Sequence, residues 1–581
     1  MSADTSPPPA VPLKLVLCWH MHQPEYREAG TGKHLLPWTY LHAIKDYVDM
    51  AAHLEAQPQA RCVVNFAPIL LEQINDYAAQ VTAFLERDEP LRDPLLALLG
   101  AQVPPTDASE RMQQVEACVR ANRQRLVEPH EDYRRLVDMA PWLRQNPEAV
   151  TYLGDHFFFD LVTWYHLVWM GETVRRTDPR IGSLMAQGRD FTFNQRRSLL
   201  TLIGELLTDL IPRYRRLARN GQVELSFTPY AHPIMPLMLD LQSAREAVPT
   251  MALPDAPAYP GGADRVCWHL ARGRAVFESH FGCQPAGCWP SEGSLSEATL
   301  NVLAEEHIGW TASGEGVLLN SLTAASDQPP DPDRSWLYRP YRLHSGSPAV
   351  FFRDDSLSDA IGFRYADWYG DDAAGDFVHQ LEQIAAQLAK THPPGAPPPV
   401  VSVILDGENA WEYYPNNGFY FLSALYQALV DHPTIELTTF SDVLADGRTP
   451  TILPQMVAGS WVYGNFETWI GSSDKNRGWE MLIRAKQQVD RVLAEGRLTP
   501  EQTDEVLDQL AICEGSDWCW WFGDYNAATA VGLFEHLYRQ HMSHLYRLMD
   551  LPVPDELSHA VSQGQGEPAA GGVMRPGRKS E

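Results

Sequence analysis

Residues 399–409 read PVVSVILDGEN. A short, β-branched apolar run stops abruptly at Asp406, Gly407 and Glu408. A run of that length, ended by a turn signal, reads as a strand rather than a helix. It does not alternate apolar with polar, so it needs cover on both faces, as strands of a parallel sheet have. The same pattern recurs along the chain: LKLVLCWH (13–20), RCVVNFAP (61–68), QVELSFTP (222–229), PAGCWPSE (285–292), IGWTAS (308–313) and SPAVFFRD (347–354). Helical spacing separates most of these runs. It is clearest in RMQQVEACVRANRQRLV and in SLLTLIGELLTDLIPRYRRLARNG, which ends in basic residues and a glycine. Alternating strands and helices predict an α/β fold with a parallel sheet. About seven strands fit a closed, incomplete TIM-like (β/α)7 barrel better than an open sheet.

The expected organisation follows. Residues 13–450 form the barrel, with helical periodicity over roughly 70–220 and an inserted helical region at about 75–150. Residues 451–551 form a C-terminal α-helical domain, opening on aromatic stretches such as SWVYGNFETWIGSSDKNRGWEML and GSDWCWWFGDYN. Residues 1–12 and the Gly, Pro and Ser-rich tail 552–581 are expected to lack fixed structure.

Composition narrows the partners. The 581 residues carry 74 acids and 46 bases, a formal charge of −28. Such a surface repels nucleic acid and anionic membranes. No N-terminal signal stretch and no long apolar segment is present, and none of the eight cysteines forms a C-x-x-C pair. A cytoplasmic protein with no disulfide framework, no structural zinc and no cofactor is expected.

Polar residues cluster where the apolar runs end: His20 and His22, Asn65, Thr228, Glu292, Ser313, Arg353 with Asp354, and Asp406. In barrels the active site lies at that end of the strands. Glu292 and Asp406 each follow an apolar run, and each is followed by a glycine that permits a tight turn and close approach. Two carboxylates on one rim suit acid/base and nucleophilic work on an acetal. Glu408 competes with Asp406, because positions two apart on a strand share a face. His20 and His22, with His232 from TPYAHPIMPLM, could ligate a metal, bind sugar hydroxyls, or be structural. Trp38, Trp289, Trp411, Trp461, Trp469 and Trp520 are candidate sugar platforms, with core packing as the alternative for each.

Taken together these stretches resemble glycoside hydrolase family 57. HMHQP, GQVELSFTPYAHPIMPL, GCWPSEGSLS, VILDGENAWEYYPNNG and WVYGNFETWIGSSDKNRGWEML are similar, in order, to its five motifs, and FFRDDSLSDAIGFRY has a counterpart there. The resemblance spans about residues 13–550. It implies a (β/α)7 barrel, a retaining mechanism with Glu292 as nucleophile and Asp406 as acid/base, no obligatory metal, and an α-glucan or malto-oligosaccharide substrate. By that analogy Asp406 is preferred over Glu408, and Asp406 is expected to hold the proton at rest. His22, Trp38, His232, Trp289, Arg353, Asp354, Trp411, Trp461, Trp469 and Trp520 are the expected substrate-binding residues. The WPSEGS form is more similar to the amylase and amylopullulanase side of the family. One departure is Asp355, where the family pattern carries His, and this bears on subsite preference. Hydrolysis against 4-α-glucanotransfer, α-1,4 against α-1,6 preference, endo against exo action and oligomeric state stay open at this stage. A metal-dependent polysaccharide deacetylase and a non-catalytic glucan-binding protein are the more distant alternatives.

Overall fold

The computed structural model describes residues 11–326, 328–566 and 574–577. Six strands carry the architecture: β1 (Leu13–Met21), β2 (Cys62–Phe66), β3 (Val223–Phe227), β4 (Trp310–Ser313), β5 (Ala349–Phe352) and β6 (Val400–Asp406). Going round, β1 pairs with β2, β2 with β3, β4 with β5, and β6 with β1, every pair parallel. Three single-residue bridges complete the circuit: Phe227 to Cys288, Cys288 to Thr311, and Arg353 to Ser402. The result is a closed ring of seven parallel positions, and Cys288 alone supplies the fourth.

The run 285–292, expected as a full strand, is therefore reduced to a bridge. Pro285 and Pro290 have no N–H to give to a ladder. The residues between them still bond on both sides, Trp289 N to Phe227 O at 3.0 Å and Cys288 N to Trp310 O at 3.1 Å.

Side chains alternate around the ring as strand geometry requires. Leu15 and Leu17, Cys62 and Val64, Val350 and Phe352, and Val401 and Val403 face the surrounding helices and join the main core. Val16, Cys18, Val63, Trp310, Ala312, Ala349, Phe351 and Ile404 face inward and pack on one another as a separate core. That filled interior is what a small barrel needs. The inward set continues one step further to His20, Asn65, Arg353 and Asp406, at the C-terminal ends of their strands. The barrel thus ends in a polar rim above an apolar plug.

Helices Pro68–Arg87, Phe193–Arg219, Gly262–Phe281, Gly370–Leu388 and Phe419–Val430 wrap the ring. Phe193–Arg219 starts with a capping box, Thr192 with Gln195, and keeps Pro212 inside it. Helices fill most of the chain from Pro68 to Arg219, more than the expected 75–150 insertion. Ser473–Glu495, Pro500–Cys513 and Ala528–Leu548 form the C-terminal helical region.

The tail departs from its expectation. Leu557, Val561 and Met574 are buried in the main apolar core, and Ser562 is buried where its hydroxyl accepts from Gly523 N and donates to Asp474. Residues 1–10, 567–573 and 578–581 lie outside the described set. Among the described residues, no helix is long and apolar enough to cross a membrane.

Candidate active site

A cleft of about 560 Å³ opens over the polar rim of the barrel. Glu292 and Asp406 both line it. Asp406 ends β6, in register with His20 of β1. Glu292 follows the Cys288 bridge in a short 3₁₀ turn, Ser291–Gly293. The two acids therefore rise from the fourth and seventh positions of the ring into the same cleft.

Glu292 has a left-handed backbone, φ 58° and ψ 25°. For a residue with a Cβ this costs about 1–3 kcal/mol and persists only where surroundings enforce it. Trp461 enforces it: its N–H donates to Glu292 O at 3.0 Å and its indole Nε1 donates to Glu292 Oε2 at 2.9 Å. His232, also left-handed at φ 61°, places Nδ1 3.9 Å from Glu292 Oε1.

Burial pushes the Glu292 carboxyl up to about 8; the charges of Asp406 and Asp517 add to this, while the Trp461 hydrogen bond and the charge of Arg575 oppose it. Burial pushes Asp406 up to about 6, opposed by the Asn409 amide, by His22 and by Arg353. Asn409 Nδ2 donates to Asp406 Oδ2 at 2.9 Å. Near neutral pH the free pair thus holds about one proton between its two members.

Glu408 does not share the face of Asp406. The strand ends at Asp406, and Gly407 N donates to His20 O at 2.7 Å, which turns the chain. Glu408 then dives beneath the β1 loop, where Oε1 accepts from His22 N at 3.3 Å and Gln23 Nε2 at 3.2 Å. It is 1% exposed, its Oε2 has no partner, and burial with the charges of Asp406 and Asp46 holds it well above the usual carboxylate range. Its carboxyl is thus anchored to the β1 loop.

The histidines form a stack. His22 and His232 lie 3.8 Å apart between ring centres, and His20 Nε2 is 3.3 Å from His232 Nε2. His20 Nδ1 meets Asn65 Oδ1 at 2.7 Å, His232 Nδ1 meets Ser516 Oγ at 2.8 Å, and His22 Nε2 meets Asp517 Oδ1 at 2.9 Å. Burial lowers His20 to about 3 and His232 well below its ordinary value, so both are neutral. His22, His232 and Asp517 have ligand atoms within 4.8 Å of one another. Both nitrogens of His232 and one of His22 are already engaged, and the rings stack face to face. These residues fit a hydrogen-bonding wall better than a metal centre.

The predicted substrate-binding residues divide. His22, Trp38, Arg353, Trp461 and Trp520 line the cleft. His232 lies just behind it, 1% exposed. Trp289, Trp411 and Trp469 do not reach it. Trp289 is part of the barrel plug, edge-on to Trp461 at 5.2 Å. Trp411 packs edge-on to Trp19 at 5.8 Å and donates to Gly407 O at 2.9 Å. Trp469 is buried among the C-terminal aromatics. Asp354 is also structural: it caps helix Asp355–Asp359 through Leu357 N at 2.9 Å and accepts from Tyr338 OH at 3.0 Å.

Several cleft residues escaped the sequence reading. Asp517 lies beside Trp520 in a stretch whose tryptophans drew attention away from it, and only folding brings it to His22. Glu116, Arg120 and Arg144 come from the helical insertion, and Arg575 comes from the tail.

Fold and site define a (β/α)7-barrel protein with a paired-carboxylate cleft. More particularly, the chain belongs to glycosyl hydrolase family 57, whose profile matches residues 16–457. Solved structures with a similar fold include the family 57 branching enzyme of Thermococcus kodakaraensis, 16% identical over 93% of this chain and 90% of its own, TM-score 0.58. The branching enzyme of Pyrococcus horikoshii is 15% identical over 98% and 100%, TM-score 0.56. The α-amylase AmyC of Thermotoga maritima is 14% identical over 92% and 93%, TM-score 0.55. A search of curated proteins finds no significant match.

Proposed function

We propose that the protein is a retaining glycoside hydrolase acting on α-1,4-linked glucans such as starch, glycogen or malto-oligosaccharides, with Glu292 as nucleophile and Asp406 as acid/base. The carrying observation is that these two carboxyls rise from the fourth and seventh positions of the barrel ring into one aromatic-walled cleft, each with a raised proton affinity.

In this reading the glucan lies along Trp38, Trp461 and Trp520. Protonated Asp406 gives its proton to the glycosidic oxygen as the Glu292 carboxylate attacks the anomeric carbon. The C–O bond breaks, the leaving sugar departs as an alcohol, and a glycosyl ester forms on Glu292. Asp406, now a carboxylate, takes a proton from water, which attacks the anomeric carbon and frees Glu292. Two inversions give net retention. The competent tautomer carries its proton on Asp406. Trp461 Nε1–H favours it by hydrogen-bonding the Glu292 carboxylate.

A sugar hydroxyl could replace water in the second step, giving a 4-α-glucanotransferase or branching activity. Trp461, Trp521 and Phe534 in the cleft lining offer apolar surface for an acceptor sugar, which supports that second reading. Incubation with maltoheptaose, starch and pullulan, followed by product separation, tests both. Shorter products alone mean hydrolysis; longer or branched ones mean transfer. Glu292→Gln should lower turnover by roughly 10⁴-fold or more while glucan binding remains. Normal turnover in that variant would remove the assignment.

A further inference from the structure

We propose that the C-terminal segment 574–577 is a strap that completes this site, and that Arg575 on it is a positioning residue for the Glu292 carboxylate. The inference rests on the reading of Glu292 as nucleophile.

The strap has a built seat. Gly577 N donates to Asp359 Oδ2 at 3.0 Å, and Gly577 O accepts from Tyr463 N at 2.9 Å. Asp359 and Asp355 are in turn held by Arg353, at 2.7 Å each. A Cβ on Gly577 would run into the Asp355 carboxylate, with Oδ2 at 2.6 Å and Oδ1 at 2.7 Å, so only glycine fits. Asp355, the acid that departs from the family pattern, is thus the floor on which the tail rests.

Two residues before that seat, Arg575 enters the cleft. Its guanidinium lies over the rings of Trp520 and Tyr525, 4.5 and 4.6 Å from their centres, and Nη1 donates to Thr468 Oγ1 at 3.1 Å. Arg353 spends its charge on two aspartates. Arg575 makes no ion pair among the described residues. It lines the same cleft as Glu292, and its charge is one of the two influences that oppose burial there.

The consequence is directional. The cation favours ionised Glu292 over ionised Asp406 and so raises the share of the competent tautomer. Arg575→Met keeps the apolar stem and removes the charge. Expected in the full chain is a fall of about tenfold in the kcat/KM plateau on maltoheptaose. The alkaline limb should move to higher pH and the acid limb should stay. Arg575→Lys should restore most of the loss. Gly577→Val, which unseats the strap, should reproduce the shift and carries the test if Arg575→Met does not fold. An unmoved alkaline limb in a variant that keeps its melting temperature overturns the proposal. Glu292→Gln run alongside separates the two ideas. If it is inert while Arg575→Met matches wild type, the strap alone is wrong. If Glu292→Gln is active, the nucleophile assignment fails first.

Discussion

Trp461 holds Glu292 at both ends, its backbone N–H on the glutamate carbonyl at 3.0 Å and its indole N–H on Oε2 at 2.9 Å. One residue therefore enforces the left-handed turn and supports the carboxylate charge. Trp461→Phe keeps the ring and the main-chain bond but deletes the indole donor. A hydrogen bond to a charged group is worth about 1.5–3 kcal/mol, so kcat/KM should fall roughly 10- to 100-fold. The alkaline limb of its pH profile should rise, because the charged form of Glu292 loses a donor. Steady-state kinetics across pH reads both effects.

The pair itself should give a bell-shaped kcat/KM profile, with limbs near the raised values of about 6 for Asp406 and about 8 for Glu292. Below the lower limb both acids are protonated and no nucleophile exists. Above the upper limb both are ionised and no acid exists. The limbs belong to the pair and not to either residue alone. Activity constant from pH 4 to 10 would contradict this (about two units beyond either limb is ample).

Asp406 and Glu408 should separate cleanly on mutation. Asp406→Asn removes the proton donor and should cut turnover by about 10²–10⁴-fold. Glu408→Gln replaces a buried acid by its amide and should stay within about threefold of wild type. Equal loss from both would place Glu408 in the chemistry.

Stability offers an independent check at Glu514, which is fully buried against Arg265 at 2.6 Å and His269 at 2.8 Å. These contacts tie helix Gly262–Phe281 to the end of helix Pro500–Cys513. Burial disfavours the charge, but Arg265 and His269 outweigh it and hold Glu514 at about 2 against an ordinary 4.5. A depressed carboxylate contributes its stability above the unfolded value and loses it as pH falls towards the folded one. Wild-type stability should therefore drop between pH 4.5 and about 2. Glu514→Ala strands the buried Arg265 cation and leaves His269 without its partner, and should cost about 3–5 kcal/mol, read by denaturant unfolding at pH 7.

The sequence by itself determined where the strand runs lie, that they pair in a parallel sheet, and which polar residues end them. Apolar runs and the residues that end them are local, and strand periodicity carries an inward-facing position directly to the rim. That is why His20, Asn65, Arg353 and Asp406 could be placed there from the chain alone. It did not decide which tryptophans face sugar and which fill the core. Trp289 and Trp461 sit in similar Gly-flanked surroundings, yet one plugs the barrel and the other supports Glu292. Nor did it join His22 to Asp517, tie Glu408 to the β1 loop, or bring Arg575 over Trp520. Those outcomes depend on how separate elements pack. A side chain's neighbours across hundreds of residues are set by the shape of the whole fold and leave no mark in the spacing of the chain.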